Sequence, residues 1–389
     1  MPILNSAIVL QSEVTEWRRQ LHQNPELLYD VHQTANFVIE KLREFGVDEI
    51  ASGIGETGVV GIIRGKGSST RMIGLRADMD ALPIVETSGK PWASKIEGKM
   101  HACGHDGHTA MLLGAAKYLA ETRNFDGQIA VIFQPAEEGG GGALAMINDG
   151  LLDRFPIAEF YGVHNMPGIP VGQFAMRKGG IMAAPDKFKI VVHGRGGHAA
   201  QPHKTIDPIA IGAQIVSNLQ LIASRCADPC RSVVVSVTQF HAGSSHNIIP
   251  DTAEIIGTVR TLDEETRDLA EKRLVEIATS IATAHGATAD AKFQRFCPVT
   301  VNHPAETDYA YEIASEIVGA HNVDPNVDPS MAGEDFSYML NAAPGCYIFL
   351  GNGDTAGLHN PNYDFSDEAI PYGISYWVGV AEKRLPLQK

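Results

Sequence analysis

Three histidines, a cysteine and an aspartate fall within nine residues of this chain, in "MHACGHDGH" from Met100 to His108. Thiolate and imidazole are good ligands for borderline-soft divalent ions. Cys103 and His105 are separated by one residue, so on a turning segment both can face one point. Taken alone, the stretch also reads as a polar loop with idle histidines. A metal centre needs further donors from elsewhere, and the chain offers several. Glu137 and Glu138 close the apolar run "QIAVIFQPAEE" (128–138), ahead of four glycines. Two acids at a strand end can divide labour, one holding a cation while the other serves as a base toward water. The plain alternative is a solvated acidic turn. His164 follows the apolar "FYGV", and His359 lies in "GLHNPNYDF"; each is followed by Asn and then, within two residues, by Pro. Asp78 ends the strand-like run "RMIGLRADMD", together with Asp80. A carboxylate there suits the orientation of a ligating histidine, or is simply a solvated strand end.

These residues must be carried by elements that bring them together. Apolar spacing predicts helix over 7–45, interrupted at Asn24-Pro25. Strand-like runs follow at 58–65, 71–80 and 128–138, with a helix at 106–123 between the last two. Continuous apolar strands alternating with helices predict a mixed, mostly parallel sheet covered by helices. Near residue 185 the texture changes. Strands at 186–196, 231–243, 252–262 and 288–298, with helices at 206–225 and 263–286, run strand–helix–strand twice, the order of a ferredoxin-like α+β fold. After 298 the α/β texture resumes, with a helix near 307–320, a strand at 346–353 and a closing helix at 367–385. The expected organisation is an α/β domain of residues 1–185 and 299–389, interrupted by a small α+β insert of residues 186–298.

Composition narrows the function classes. Asp and Glu number 46 against 31 Lys and Arg, a net charge of −15; an acidic surface repels phosphate backbones and argues against a nucleic-acid partner. No run of 18 apolar residues predicts a membrane span, and the N-terminus lacks the basic start of a signal peptide. The five cysteines, 103, 226, 230, 297 and 346, are too few and odd in number for a disulfide framework, which points to a reducing, cytoplasmic location. "GIGETG" (53–58) matches the dinucleotide fingerprint, but a strand-like run follows it where that fold needs a helix. No G-x-S-x-G is present, so a nucleophile-elbow serine hydrolase lacks its key part.

Nine ordered stretches resemble one known family. They are "LRADMDALP", "MHACGHDGHTAMLLGAA", "FQPAEEGGGGALAMI", "GVHNMPGIPVG", "GRGGHAAQPH", "HNIIPD", "GTVRT", "AGEDFSYM" and "GLHNPNYDF". The set is similar to the aminoacylase and glutamate carboxypeptidase metallopeptidase superfamily, in its amidohydrolase branch of hippurate hydrolases, N-acyl-amino-acid amidohydrolases and auxin-conjugate hydrolases. The resemblance implies a metal-dependent amidohydrolase that cleaves N-acyl-L-amino acids. It implies two divalent ions (zinc, manganese, cobalt or nickel) held by Cys103, His105, Glu138, His164 and His359, with Cys103 bridging and Glu137 as general base. In many relatives the position two before Asp78 is a ligating histidine; here it is Arg76, and the resemblance implies that Cys103 and His105 compensate. The insert becomes a lid and dimerisation domain, through which a homodimer or homotetramer forms. His198 would reach a partner subunit's site and steady the oxyanion, while Asn247 and Arg260 would hold the substrate carboxylate. A dipeptidase or carboxypeptidase of the same superfamily is the alternative activity. A binding protein that kept the fold and lost the chemistry is disfavoured, because Glu137 and all five ligand candidates are present.

Overall fold

The computed structural model describes residues 3–387. The chain forms two compact units, Met1–Ile181 with Thr300–Asp328 and Asp335–Lys389, and Met182–Val299 with Pro329–Glu334. The short segment 329–334 groups with the second unit.

Along the chain the strands of the two main sheets are β1 (Glu49–Ile54), β2 (Gly58–Arg64), β3 (Met72–Asp78), β4 (Gln128–Gln134), β5 (Ile157–Met166) and β6 (Phe174–Ala175), then β7 (Ala184–His193), β8 (Val233–Ala242), β9 (Thr252–Thr261) and β10 (Thr288–Arg295), and finally β11 (Val323–Asp324) and β12 (Gly345–Gly351). The principal helices are α1 (Asn5–Gln23), α2 (His32–Glu44), α3 (His105–Thr122), α4 (Pro208–Leu221), α5 (Glu264–Ala284), α6 (Pro304–Val318) and α7 (Ile370–Arg384).

In the first unit, eight strands form one sheet in the order β1-β2-β4-β3-β5-β12-β6-β11. The central run β4-β3-β5-β12 is parallel, and β1 and β2 add an antiparallel edge. Every residue of β3 and β12 is buried, because helices cover both faces of a parallel sheet. That explains why β12 reads as an unbroken apolar run, while β3 carries Arg76 and Asp78 as a buried ion pair. Helix α3 is buried on nearly all sides and packs against α1, α7 and β3. A helix apolar all round belongs in the interior, and its first turn therefore presents His105 and Asp106 inside the protein.

Two local expectations change. Edge strand β1 goes unread in the sequence, since "EIASGI" carries Ser and Gly and is half exposed. The "GIGETG" stretch is the β1–β2 hairpin turn, with Gly53, Gly55 and Glu56 all at positive φ; a Cβ at Gly55 would meet the Met146 backbone nitrogen at 2.7 Å. The other change is at Glu137 and Glu138. β4 stops at Gln134, and the acids sit on the following turn, where Ala136 is left-handed with φ +53°.

The second unit is a four-stranded antiparallel sheet in the order β8-β9-β7-β10, crossed by α4 and α5. This is the ferredoxin-like order expected from two strand–helix–strand repeats. β7 and β9 alternate buried and more exposed residues, as one-faced sheets do. Asp207 caps α4 through the amides of Ile209 and Ala210, and Asp263 caps α5 through Thr266. Among the described residues, no helix is long and apolar enough to cross a membrane.

Candidate metal centre

The carboxyl ends of β3, β4, β5 and β12 lie along one edge of the parallel run, where the loops of an open α/β sheet form a crevice. His164 stands near the end of β5, and Asp78 ends β3. Glu137 and Glu138 follow β4, and His359 lies on the loop after β12. Cys103 and His105 arrive by a different route. The long connection after β3 returns through a backbone pairing of Leu82 with Met100 and sets Cys103 two residues before α3. The His359 amide donates to the Ala102 carbonyl at 2.7 Å, which ties the last loop to this one. His359 itself takes a left-handed φ of +61°.

The side chains then converge. Cys103 Sγ lies 3.4 Å from His164 Nε2, and His359 Nε2 lies 3.4 Å from Glu138 Oε1. His105 Nε2 is 4.0 Å from both Glu138 Oε1 and Glu137 Oε2. Cys103, His105 and His164 form one group whose donor atoms all lie within 4.8 Å of one another, and Cys103, Glu138 and His359 form a second. Cys103 is common to both groups. The arrangement places all five expected ligand residues in one cluster, with Glu137 at its edge.

Hydrogen bonds aim the lone pairs inward. His105 Nδ1 donates to the Asp80 carbonyl at 2.8 Å, and His164 Nδ1 donates to the Asn165 carbonyl at 2.5 Å. Each Nε2 is left facing the cluster. His105 Nε2 and Glu138 Oε1 are buried with no hydrogen-bond partner. Leaving buried acceptors unmatched costs about 1–3 kcal/mol each. Thiol, imidazole and carboxylate groups crowded this closely around Cys103 are the donor set of a divalent metal, so the residues fit one.

The electrostatics agree. Burial pushes the Cys103 thiol up, and the Glu138 carboxylate adds to the effect. Burial opposes protonation of His105, yet Asp78 and Cys103 raise it well above its ordinary value. Cys103 and Glu138 raise His359 to about 10. Burial works against the Glu138 charge, but His359 and His105 hold its carboxyl below the usual range. His164 is pushed well below its ordinary value by burial and by His108. The acids and the thiol thus favour positive charge on the neighbouring imidazoles, the same preference a cation would meet here.

Around this cluster the structure departs from the sequence reading. Asp78 orients His108, which was not among the expected ligands: His108 Nδ1 donates to Asp78 Oδ1 at 2.7 Å, while Arg76 Nη1 holds Asp78 Oδ2 at 2.7 Å. Burial disfavours the Asp78 charge, but His105, His108 and Arg76 keep it well below the usual carboxylate range. Arg76 also reaches Gln134 Oε1 at 2.8 Å and Asp335 Oδ1 at 3.2 Å; a guanidinium has no lone pair and cannot replace a ligating histidine. Asp80, read only as a strand-end acid, accepts the backbone amides of Glu137 and Glu138 at 3.0 and 3.1 Å and so fixes the turn that carries them. Asn165 and Tyr363 were passed over; the repeated His-Asn pair was the one signal near them.

His198, Asn247 and Arg260 belong to the second unit. His198 is exposed on a two-residue strand pairing with Ile248, and its Nδ1 accepts the Ala200 amide at 3.1 Å. The Asn247 carbonyl accepts the Ala199 amide at 3.0 Å, which braces the same turn. Arg260 is half-buried on β9, where its guanidinium donates to Thr258 Oγ1 and to the Val259 carbonyl.

Comparison with known proteins matches this framework. The chain is 46% identical to hippurate hydrolase of Campylobacter jejuni over 385 residues, covering 99% of this chain and 100% of that one. It is 45% identical to thermostable carboxypeptidase 2 of Saccharolobus solfataricus over 361 residues, 90% of each chain. The crystal structure of the Bacillus subtilis YXEP protein, a dinuclear metal binding peptidase from the M20 family, superposes with a TM-score of 0.85 at 34% identity, covering 97% of this chain and 99% of that one. Residues 74–383 match the description of Peptidase family M20/M25/M40, and the chain belongs to that family.

Proposed function

We propose that this chain is a metal-dependent amidohydrolase that cleaves N-acyl-L-amino acids to a carboxylic acid and a free amino acid. The observation that carries this reading is the set of inward-facing donors, Cys103, His105, Glu138, His164 and His359, with Glu137 beside them. The likeness to a hippurate hydrolase supports the substrate class, because hippurate is itself an N-acyl amino acid. Cys103, His105, Glu138, His164 and His359 would hold the divalent ions; zinc, manganese, cobalt and nickel all suit mixed thiolate, imidazole and carboxylate ligation. The likeness to a dinuclear peptidase supports two ions rather than one.

A divalent metal bound here supplies the Lewis acidity that lets water lose a proton near neutral pH. Glu137 accepts that proton as the water oxygen attacks the amide carbon, then delivers it to the nitrogen as the carbon–nitrogen bond breaks. The Asp80 carboxylate holds the Glu137 and Glu138 amides, so the base keeps its place during the transfer. Asp78 acts one step back by fixing His108. The second unit serves as a lid and dimerisation domain in this reading. His198 donates to the developing oxyanion of a partner subunit's substrate, and Asn247 and Arg260 clamp the substrate carboxylate, for which a guanidinium is well shaped. The assembly is a homodimer or homotetramer in the cytoplasm.

Replacing Glu137 by Gln tests the assignment. Metal content stays at the wild-type level, and kcat on hippurate falls by about 10²–10⁴-fold, the usual contribution of a positioned base. Near-normal kcat removes Glu137 from this role. The likeness to a carboxypeptidase favours a second reading, peptide cleavage at a free carboxyl end. A panel of benzoyl, acetyl and indoleacetyl amino acids beside dipeptides separates the two.

A further inference from the structure

Asn165 is fully buried and sits directly after His164 at the end of β5. Its polar atoms touch four separate parts of the site. The backbone carbonyl accepts His164 Nδ1 at 2.5 Å, and this sets the tautomer that turns Nε2 toward Cys103. The backbone amide donates to His108 Nε2 at 2.9 Å. That bond leaves His108 with its proton on Nδ1, donated to Asp78, so both of its nitrogens are occupied and it is removed from the ligand set. The side-chain nitrogen donates to the Cys103 carbonyl at 2.6 Å, and the side-chain oxygen accepts the Tyr363 hydroxyl at 2.6 Å.

The direction of the amide follows from its neighbours. The Cys103 carbonyl can only accept, so the Asn165 NH₂ must face it, and the oxygen must face the Tyr363 O–H. The residue is therefore polarised, with its donor end toward the thiol-bearing loop and its acceptor end toward the loop that carries His359. Gly104 fits the same picture. Its φ is +90°, and a Cβ there would meet Asn165 Nδ2 at 2.1 Å and the Tyr363 hydroxyl at 2.5 Å. The Cys103 loop can approach the amide this closely only with glycine at 104.

We propose that Asn165 is a positioning residue that holds the Cys103 loop, His164 and, through Tyr363, the His359 loop in register for metal binding. This rests on the ligand assignment proposed above. Asn165 touches no substrate in this account; it acts by fixing where the thiolate and two imidazoles point. The Asn165 side-chain nitrogen also lies 3.1 Å from His108 Nε2, so an aspartate of nearly the same shape would place an oxygen against both that nitrogen and the Cys103 carbonyl. Shape would be kept, and the polarity of the bond reversed.

The test is a Co(II) titration of the metal-free full-length protein, read by the thiolate-to-cobalt charge-transfer absorption and by the dissociation constant. Asn165→Asp is expected to weaken Co(II) binding about 10–100-fold, the usual effect of losing a group that orients ligands, and to shift or diminish the thiolate band. Tyr363→Phe removes one hydroxyl and nothing else. It is expected to weaken the more loosely held Co(II) about tenfold while keeping the thiolate band, and it serves if Asn165→Asp does not fold. Wild-type affinity and an unchanged band in Asn165→Asp overturn the proposal, and unchanged affinity in Tyr363→Phe overturns the link to the His359 loop. A wild-type protein that shows no thiolate band with Co(II) instead overturns the ligand assignment itself.

Discussion

Raising the pH from about 6 to about 10 should cost the first unit about 3 kcal/mol of stability through one histidine, His22. Its ring is buried in α1, with Nδ1 at 2.8 Å from Asp106 Oδ2 and Nε2 at 3.3 Å from Glu86 Oε1. Burial alone would lower its pKa, but Asp106 and Glu86 outweigh that and raise it from 6.5 to about 9. Two other cationic candidates face the same acids. Arg18 Nη1 lies 3.8 Å from Asp106 Oδ2, and His101 is kept neutral by burial, with a pKa lowered to about 4. The gap between 6.5 and about 9, at about 1.36 kcal/mol for each tenfold change in proton affinity, amounts to about 3 kcal/mol. Because the folded value is the higher one, this stability is fully present below 6.5 and is lost as the pH rises through about 9. The assay is equilibrium urea unfolding followed by tryptophan fluorescence. The three tryptophans, Trp17, Trp92 and Trp377, all lie in the first unit, so the signal reports that unit. Wild type should exceed His22→Gln by about 3 kcal/mol at the acid end, with the gap closing at the alkaline end. Groups that do not interact with His22, His359 among them, are common to both proteins and cancel. A gap that stays constant across the range would refute the reasoning.

Other perturbations act on different parts of the molecule. Gly104→Ala places a methyl group 2.1 Å from Asn165 Nδ2 at a φ of +90°; the left-handed residue alone costs about 1–2 kcal/mol, so both the thermal midpoint and cobalt affinity should drop, and wild-type values in both would contradict the crowding described. Prolonged chelation should abolish hydrolysis of hippurate, with divalent metal restoring it; full activity in metal-free protein would end the proposed chemistry. In the second unit, Arg267 holds Asp186 by two bonds, at 2.8 and 2.7 Å, with both side chains buried. Arg267→Met strands that carboxylate and should cost about 3–5 kcal/mol, seen as faster hydrogen exchange in β7; unchanged protection would show the pair to be dispensable.

Much of this architecture was legible in the residues themselves. The apolar runs of β4 and β12 announce a sheet covered on both faces, and the alternation in β7 and β9 announces one covered on a single face. Periodicity is local, so it survives without knowledge of the partner strand. Residue type is equally local: a thiol, three imidazoles and two adjacent acids at strand ends declare an appetite for metal before any fold is known. β1 escaped because an edge strand with Ser and Gly has neither signature. The end of β4 was misjudged by four residues because the left-handed Ala136 that breaks it is not a glycine.

What the linear chain could not specify is which groups face one another. Asp78 and Asp80 look interchangeable in "RADMD", yet one holds His108 and Arg76 while the other cradles the amides of Glu137 and Glu138. His105 and His108 share one helix, but only His105 leaves its Nε2 to the cluster, because Asn165, 57 positions away from His108, occupies the other. Ligand chemistry belongs to single side chains and is written in their identities. Tautomer, aim and register belong to hydrogen bonds between segments far apart in the chain, and those exist only once the parallel strands have brought their ends together.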